Sequence, residues 1–278
     1  MKSLKLSLVP LLILLLIDVR GHVAWMPTTV GSEQAVSCAI ANTAFQAGEK
    51  MNLTVFYSVG NMINVPAGSA SFTTTQEKLN GREVYHIVGE GRTLPSYEWA
   101  YKARDIYETY MDAETMQPLK FVRHVNEGGY KKYQNVSFNK SANTAVTNEG
   151  VFKVPACVHD VISAVFYARN IDYNKLRVND RVPISIFLDN EVFPMQIRYL
   201  GKETISTKYG KFKTIKFRPS TIKGNIFKGD ENMFVWVTDD ANRMPVRLES
   251  PIIVGKVRVD MVGVSGLKNP TTALIKKY

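Results

Sequence analysis

The chain has 278 residues, of which 45% are hydrophobic and 22% charged, with a formal net charge of +10. That is enough apolar material for one or two globular domains and too much for a largely disordered chain. Two cysteines and four histidines exclude a disulfide-dense miniprotein and a zinc module held by cysteines alone, and leave little material for a metal cluster.

The N-terminus reads as a secretory signal over residues 1–21. Lys2 and Lys5 precede an apolar core from Leu6 to Ile17, broken only by Ser7 and Pro10, and Asp18, Arg20 and Gly21 close it. Twelve apolar residues fall short of the ~20 that a bilayer-spanning helix needs. Val36-Ser37-Cys38 has the ending of a lipoprotein box, but Cys38 lies too far beyond Ile17 for lipid attachment. The expectation is an exported chain, in the periplasm or cell envelope, with no transmembrane segment in its mature form and no nucleic-acid partner. Removing residues 1–21 takes three basic residues and one acidic one, so the net charge falls from +10 to +8. An oxidising compartment favours a disulfide between Cys38 and Cys157, against two buried thiols or a metal site using Cys157 and His159. Such a bond ties a lead at 22–44 to the middle of the fold.

From residue 45 onwards, short alternating runs follow one another: Met51–Tyr57, Ala70–Gln76, Glu83–Val88, Ile106–Met111, Leu119–Val125 and Tyr130–Phe138, then Pro183–Leu188, Met195–Leu200, Lys213–Arg218, Met233–Val237, Pro245–Leu248 and Lys256–Val264. Period-two alternation is the mark of half-buried strands. Asn80-Gly81, Gly128-Gly129, Asp189-Asn190, Lys223-Gly224-Asn225 and Gly229-Asp230 supply turns. One amphipathic helix is expected over Val158–Arg169, where Val158, Val161, Ile162, Val165 and Phe166 repeat at helical spacing. Ser96–Arg104 is a second helical candidate. The fold class is therefore mainly β (α+β): a large curved antiparallel sheet or open barrel with one main helix, in a single domain over 45–270 followed by a tail at 271–278. Asp112 and Pro118 stand six residues apart, as do Asp239 and Pro245, which hints at two related halves, 45–155 and 156–270.

Catalytic chemistry is sparse. Asp239-Asp240 is an adjacent acidic pair beside an aromatic strand, which admits a glycan-directed enzyme, but neighbours on a strand face opposite ways and a hairpin tip is the simpler account. No G-x-S-x-G, H-E-x-x-H, phosphate loop or dinucleotide fingerprint occurs, so no enzyme and no cofactor are expected. Asn52, Asn135 and Asn139 open glycosylation triplets. Tyr97, Trp99, Tyr101, Tyr107 and Tyr110 crowd one segment, and on a concave sheet such side chains bind acyl chains or sugars. Trp99, Tyr101 and Trp236 are the apolar wall candidates. Arg169, with Lys211 and Lys213 from a basic stripe over 202–228, is the candidate partner for an anionic headgroup. The same lysines also suit a solvated strand face that resists edge pairing.

Three patterns together carry a resemblance. Asp160, Ser163, Tyr167 and Arg169 fit a D-x-x-S-x-x-x-Y-x-R helix, Gly210-Lys211-Phe212-Lys213-Thr214-Ile215 fits a G-x-F-x-T strand, and Trp236-Val237-Thr238-Asp239-Asp240 with Pro245-Val246 fits a hairpin. In this order they resemble the exported bacterial family called domain of unknown function 3108. The resemblance implies a β-rich envelope protein without settled activity. The hairpins are also similar to those of periplasmic lipoprotein-carrier folds, which hold acyl chains in a curved sheet. The expected function is to bind an amphipathic or lipid-like envelope component in a concave sheet, with a scaffold module for an envelope protein partner as the alternative.

Overall fold

The computed structural model describes residues 38–58, 64–220, 233–252 and 255–278. The signal-like segment and the turns expected at 223–225 and 229–230 lie outside the described residues. Eight strands form an antiparallel meander: β1 (Lys50–Ser58), β2 (Val65–Leu79), β3 (Arg82–Thr93), β4 (Arg104–Asp112), β5 (Pro118–Glu127), β6 (Tyr130–Asn139), β7 (Thr144–Thr147) and β8 (Gly150–Lys153). A two-residue strand β9 (Val158–His159) and the helix α1 (Val161–Ala168) come next. Then follow β10 (Arg181–Leu188), β11 (Glu191–Ser206), β12 (Gly210–Pro219), β13 (Phe234–Thr238), β14 (Pro245–Pro251), β15 (Lys256–Ser265) and β16 (Leu274–Lys277).

The first described strand, β1, lies in the middle of a single sheet. From β1 the chain winds outward to β8, crosses to β9 on the far edge, and winds back until β15 pairs antiparallel with β1. Laid flat, fifteen strands at ~4.8 Å spacing would put those edges about 67 Å apart. The five peptide units from Lys153 to Val158 reach only ~17 Å. The sheet must therefore curl almost into a barrel. Among the described residues its edges share no backbone ladder, and side chains bridge the seam instead. Phe187 meets Phe138 and Phe152 at 6.1 and 5.9 Å between ring centres. Asp189 accepts from both Arg123 and Lys132, and Asn190 donates to Glu149 at 2.7 Å.

The helix lies inside the curl. Asp160 caps it, its carboxylate accepting from the Ile162 and Ser163 amides at 2.8 and 2.9 Å while the Ser163 hydroxyl takes the Asp160 amide, a reciprocal arrangement that satisfies orphan donors. Val158 and His159, expected as its first turn, pair with β10 instead. The expected single buried face is also exceeded: six of the eight residues are buried, because the sheet surrounds the helix. The second helical candidate reduces to one 3-10 turn, Pro95–Tyr97, since Ala103 is already drawn into a bridge with Glu127. Residues 271–278, expected as a tail, contribute β16, which pairs with β12.

Packing around the helix is uneven. Towards β2 and β3 it is tight: Phe166 meets Phe72 and Phe45 edge-on, and a Cβ on Gly89 would stand 2.9 Å from the Phe72 ring and 3.3 Å from Ile162. At its C-terminal end the Arg169 guanidinium, 2% exposed as a residue, binds Glu49 through two bonds of 2.6 and 2.9 Å and donates to the Ala44 and Asn242 carbonyls. Cys38 and Cys157 are bonded, with Cα atoms 5.1 Å apart, which removes the thiol and metal readings. Cys157 lies in the short crossing between β8 and β9, so the bond fastens the N-terminal lead to the seam.

The two Asp-to-Pro hairpins match in detail. Each has a register shift just before its turn, at Tyr110/Met111 and Trp236/Val237. Each places a left-handed residue two positions before the proline, Met116 at φ 60° and Arg243 at φ 42°.

Two stability outcomes follow. Glu49→Gln strands a buried guanidinium and should cost about 3–5 kcal/mol in urea unfolding, whereas Glu49→Leu with Arg169→Met should recover much of it. Cys38→Ser should cost about 4–5 kcal/mol on the chain-entropy account of a closed loop this long, with the far-ultraviolet spectrum unchanged.

Candidate functional site

Opposite its tight side, the helix presents Ala164 and Ala168, one turn apart, to the second half of the sheet. These small side chains leave a hollow of about 130 Å³. Its wall comes from residues two apart on the successive strands β10 to β13, Ile184 and Ile186, Met195 and Ile197, Phe217 and Pro219, Val235 and Val237. Side chains at i and i+2 share a face, so each strand offers the hollow its inward pair. Val246 and Leu248 continue the wall, and Leu53 and Phe72 close it on the side of β1 and β2. Arg169 and Arg247 are the charged residues of the lining. Both are committed, Arg169 to Glu49 and Arg247 to Asp260 through bonds of 2.6 and 3.0 Å. Among the described residues the hollow therefore offers shape and oil, with no free charge.

Its size compares with the ~150 Å³ apolar cavity that stays dry and admits benzene. Left empty, it would cost about 3 kcal/mol at ~24 cal/mol per Å³. One alkyl segment or one ring fits, and a bundle of acyl chains does not.

The residues proposed from sequence fall elsewhere, apart from Arg169. Trp99 is 85% exposed and donates to the Ser96 carbonyl. Tyr101 packs its ring over Gly128, with its hydroxyl 3.4 Å from Glu127. Trp236 is buried on the face of β13 opposite Val235 and Val237, where its indole donates to Glu203 and Lys216 lies 4.9 Å from its ring. Lys211 and Lys213 are exposed beside the buried Phe212. Asp239 is held by Lys202 at 2.9 Å, and Asp240 accepts from Thr238 and Asn242 within its own turn. The lining residues that sequence reasoning passed over are mostly aliphatic, with Phe72, Tyr173 and Phe217 among them. Their signal was the inward half of each alternating run, which does not distinguish the wall of a hollow from solid core.

A buried polar knot stands at the start of the helix. Thr109 donates to Asp160 at 2.7 Å, the Lys140 ammonium reaches the Val158 carbonyl and Gln117, and His159 lies against the Tyr167 ring at 4.5 Å. Burial, and secondarily the Lys140 charge, lowers the His159 imidazole to about 3. Burial likewise lowers Lys140 to about 8, against the pull of Asp160. Burial raises the Asp160 carboxyl, opposed by its hydrogen bonds from Ser163, Thr109 and Ile162. The knot anchors the helix and does not line the hollow.

A curled, unclosed antiparallel sheet with a helix inside it and an apolar hollow beneath defines a β-barrel-like protein. Residues 52–262 match the family described as a protein of unknown function, DUF3108, and the chain belongs to that family. Among solved structures it is similar to a β-barrel-like protein of domain of unknown function DUF1849 from Brucella abortus, with 6% identity, 81% of this chain and 99% of that one covered, and a TM-score of 0.50. It is also similar to a protein from Parabacteroides distasonis described as a lipoprotein, with 13% identity, coverages of 82% and 99%, and a TM-score of 0.36. A Bacteroides fragilis protein described as exported, with a YmcC-like fold, has 12% identity, coverages of 82% and 100%, and a TM-score of 0.30. No curated protein matches the chain. Among the described residues no helix is long and apolar enough to cross a membrane.

The His159 shift sets an acid dependence. The unfolded chain takes up this proton near the ordinary value of 6.5 and the folded chain only near 3, so lowering the pH across that window favours unfolding. Asp160 titrates in the opposite sense. The His159 contribution is therefore read as a difference: the parent should lose more stability than His159→Gln as the pH falls from 6.5, measured by urea midpoints.

Proposed function

We propose that this is an exported envelope protein that shelters the apolar part of an amphipathic or lipid-like envelope component, and that it works as a binder without catalysis. The observation that carries the reading is the hollow: its wall is aliphatic and aromatic, and its charged neighbours are already paired. Export rests on the signal-like N-terminus and on a disulfide suited to an oxidising compartment. Binding in place of catalysis is supported by the engagement of Asp239 and Asp240 in an ion pair and a turn. The physical gain is plain. Each methylene moved from water into such a hollow contributes about 0.8 kcal/mol, and the guest also removes the cost of the void. The polar end of the guest stays outside, because the two charged residues of the described lining, Arg169 and Arg247, already hold carboxylate partners.

Native mass spectrometry of protein purified from the exported fraction should find a small-molecule adduct that organic extraction removes, and the extracted protein should take up decanoate. Ala164→Phe, which places a ring in the hollow, should weaken decanoate uptake at least tenfold while keeping the parent's thermal transition. An adduct-free parent that takes up no decanoate would overturn the reading.

A further inference from the structure

The sequence's basic stripe acquires a sharper meaning in three dimensions. The tip of the β11–β12 hairpin carries Lys208, Lys211 and Lys213, all exposed. The C-terminal strand β16 lies beside it and adds Lys276 and Lys277, with Lys276 directly opposite Lys211 and Lys277 opposite Gly210. The approach requires glycine at 210, where a Cβ would stand 2.4 Å from the Lys276 carbonyl oxygen. Two stretches more than sixty residues apart in sequence thus place five ammonium groups in one corner of the molecule.

These charges differ from their neighbours. Lys202 pairs with Asp239 at 2.9 Å, Lys216 with Glu203 at 3.0 Å and Arg247 with Asp260 at 2.6 Å. Among the described residues, none of the five corner lysines has a carboxylate within ion-pair distance. Like charges set opposite each other across a ladder destabilise it, so the fold gains nothing from Lys211 facing Lys276. Protection of a sheet edge does not account for Lys211 and Lys213 either, because β12 is flanked by β11 on one side and by β13 and β16 on the other. Beside the lysines, Ile275 and Tyr278 are 50% and 62% exposed. Apolar and aromatic side chains set among lysines match the chemistry of a phospholipid headgroup layer. Ammonium groups meet phosphates there, and the aliphatic and ring surfaces enter the interface.

We propose that the β11–β12 tip together with β16 is a docking surface for an anionic phospholipid bilayer. This goes beyond the hollow and does not depend on it. The surface commits the corner of the molecule to the membrane through long-range attraction first and shallow insertion of Ile275 and Tyr278 second. An acidic protein would satisfy the lysines but would leave the exposed isoleucine and tyrosine without a matching apolar partner.

The test is co-sedimentation of the mature chain with vesicles of phosphatidylcholine containing phosphatidylglycerol, against vesicles of phosphatidylcholine alone. Binding is expected to the first only, to fall steeply as salt is raised, and to weaken about fivefold for each lysine neutralised among Lys208, Lys211 and Lys276. Ile275→Ser should weaken it further without altering the salt dependence. All of these positions are exposed, and an unchanged thermal transition confirms folding. No binding to the anionic vesicles, equal binding to both kinds, or indifference to Lys211→Glu with Lys276→Glu would overturn the proposal, as would binding to soluble polyaspartate but not to vesicles. Ala164→Phe should leave vesicle binding intact, so failure of the hollow and failure of the surface are separable.

Discussion

The buried pairing of Arg169 with Glu49 is the constraint on which the rest depends. One guanidinium joins the helix end to the N-terminal lead at Ala44, to the head of β1 at Glu49 and to the β13–β14 turn at Asn242, while the rings of Phe45 and Phe166 lie within 5.3 Å of its carbon. At the other end of the helix, Asp160 is held by Thr109. A helix fixed at both ends cannot settle towards the second half of the sheet. Collapse onto the hollow would recover about 3 kcal/mol of cavity cost, but breaking one partner from a buried pair costs about 3–5 kcal/mol, and losing the cap adds about 1 more. The pair wins, and the hollow persists.

The same logic explains why the sheet can remain unclosed. A barrel completed by backbone hydrogen bonds has no edges. Here the edges meet through Phe187 with its two phenylalanine neighbours and through Asp189 with its two cations, and the disulfide at Cys157 fastens the lead across the crossing. Local contacts of this kind replace a ladder at the one place where the chain itself passes from one edge to the other. The seam is short because β9 is only two residues long, and β9 is short because Asp160 must leave the strand to cap the helix.

Much of this was legible in the sequence. Alternation placed a run in each of the longer strands, and the Cys38–Cys157 bond was the favoured reading of two cysteines behind a signal-like segment, beside free thiols and a metal site. The Asp-to-Pro spacing marked two hairpins that share a register shift and a left-handed residue. What escaped notice has physical causes. Strands β2, β3 and β11 continue well past their alternating runs, because the end of β11 leaves the core with polar residues on both faces, while the buried face of β3 is carried on by Gly89 and Gly91 and that of β2 begins at Ala67 and Gly68, which are too small to read as apolar alternation. Strands β7, β8 and β16 have four residues each, too few for alternation to stand out. The periodicity of Val158 with Val161 and Val165 extended the helix one turn too far, because a buried two-residue strand and a helix start both place valine inside. The aromatic residues drew attention as a binding wall, yet Trp236 packs on the outer face among charges and Trp99 faces solvent. The wall is mostly aliphatic, with Phe72, Tyr173 and Phe217 as its aromatic members. Aliphatic residues carry no mark that separates a lined space from a filled one, since that difference lies in the two alanines on the facing helix.

The three motifs that carry the family resemblance now have physical roles, most of them in the scaffold, while Val237 and Val246 of the third also face the hollow. Asp160 and Ser163 cap the helix, Tyr167 covers His159, and Arg169 anchors the far end. Gly210 admits β16, Phe212 is core, and Thr214 bonds the Glu203 carbonyl at 2.7 Å. Thr238 and Asp240 shape the hairpin. A pattern of this kind maintains a frame around a space and leaves the space to be shaped by volume alone. The shape of that space is then set by side-chain volume: among the described residues Arg169 and Arg247 are both committed to carboxylates, and Ala164 and Ala168 on α1 decide how much room stands between the helix and the facing strands.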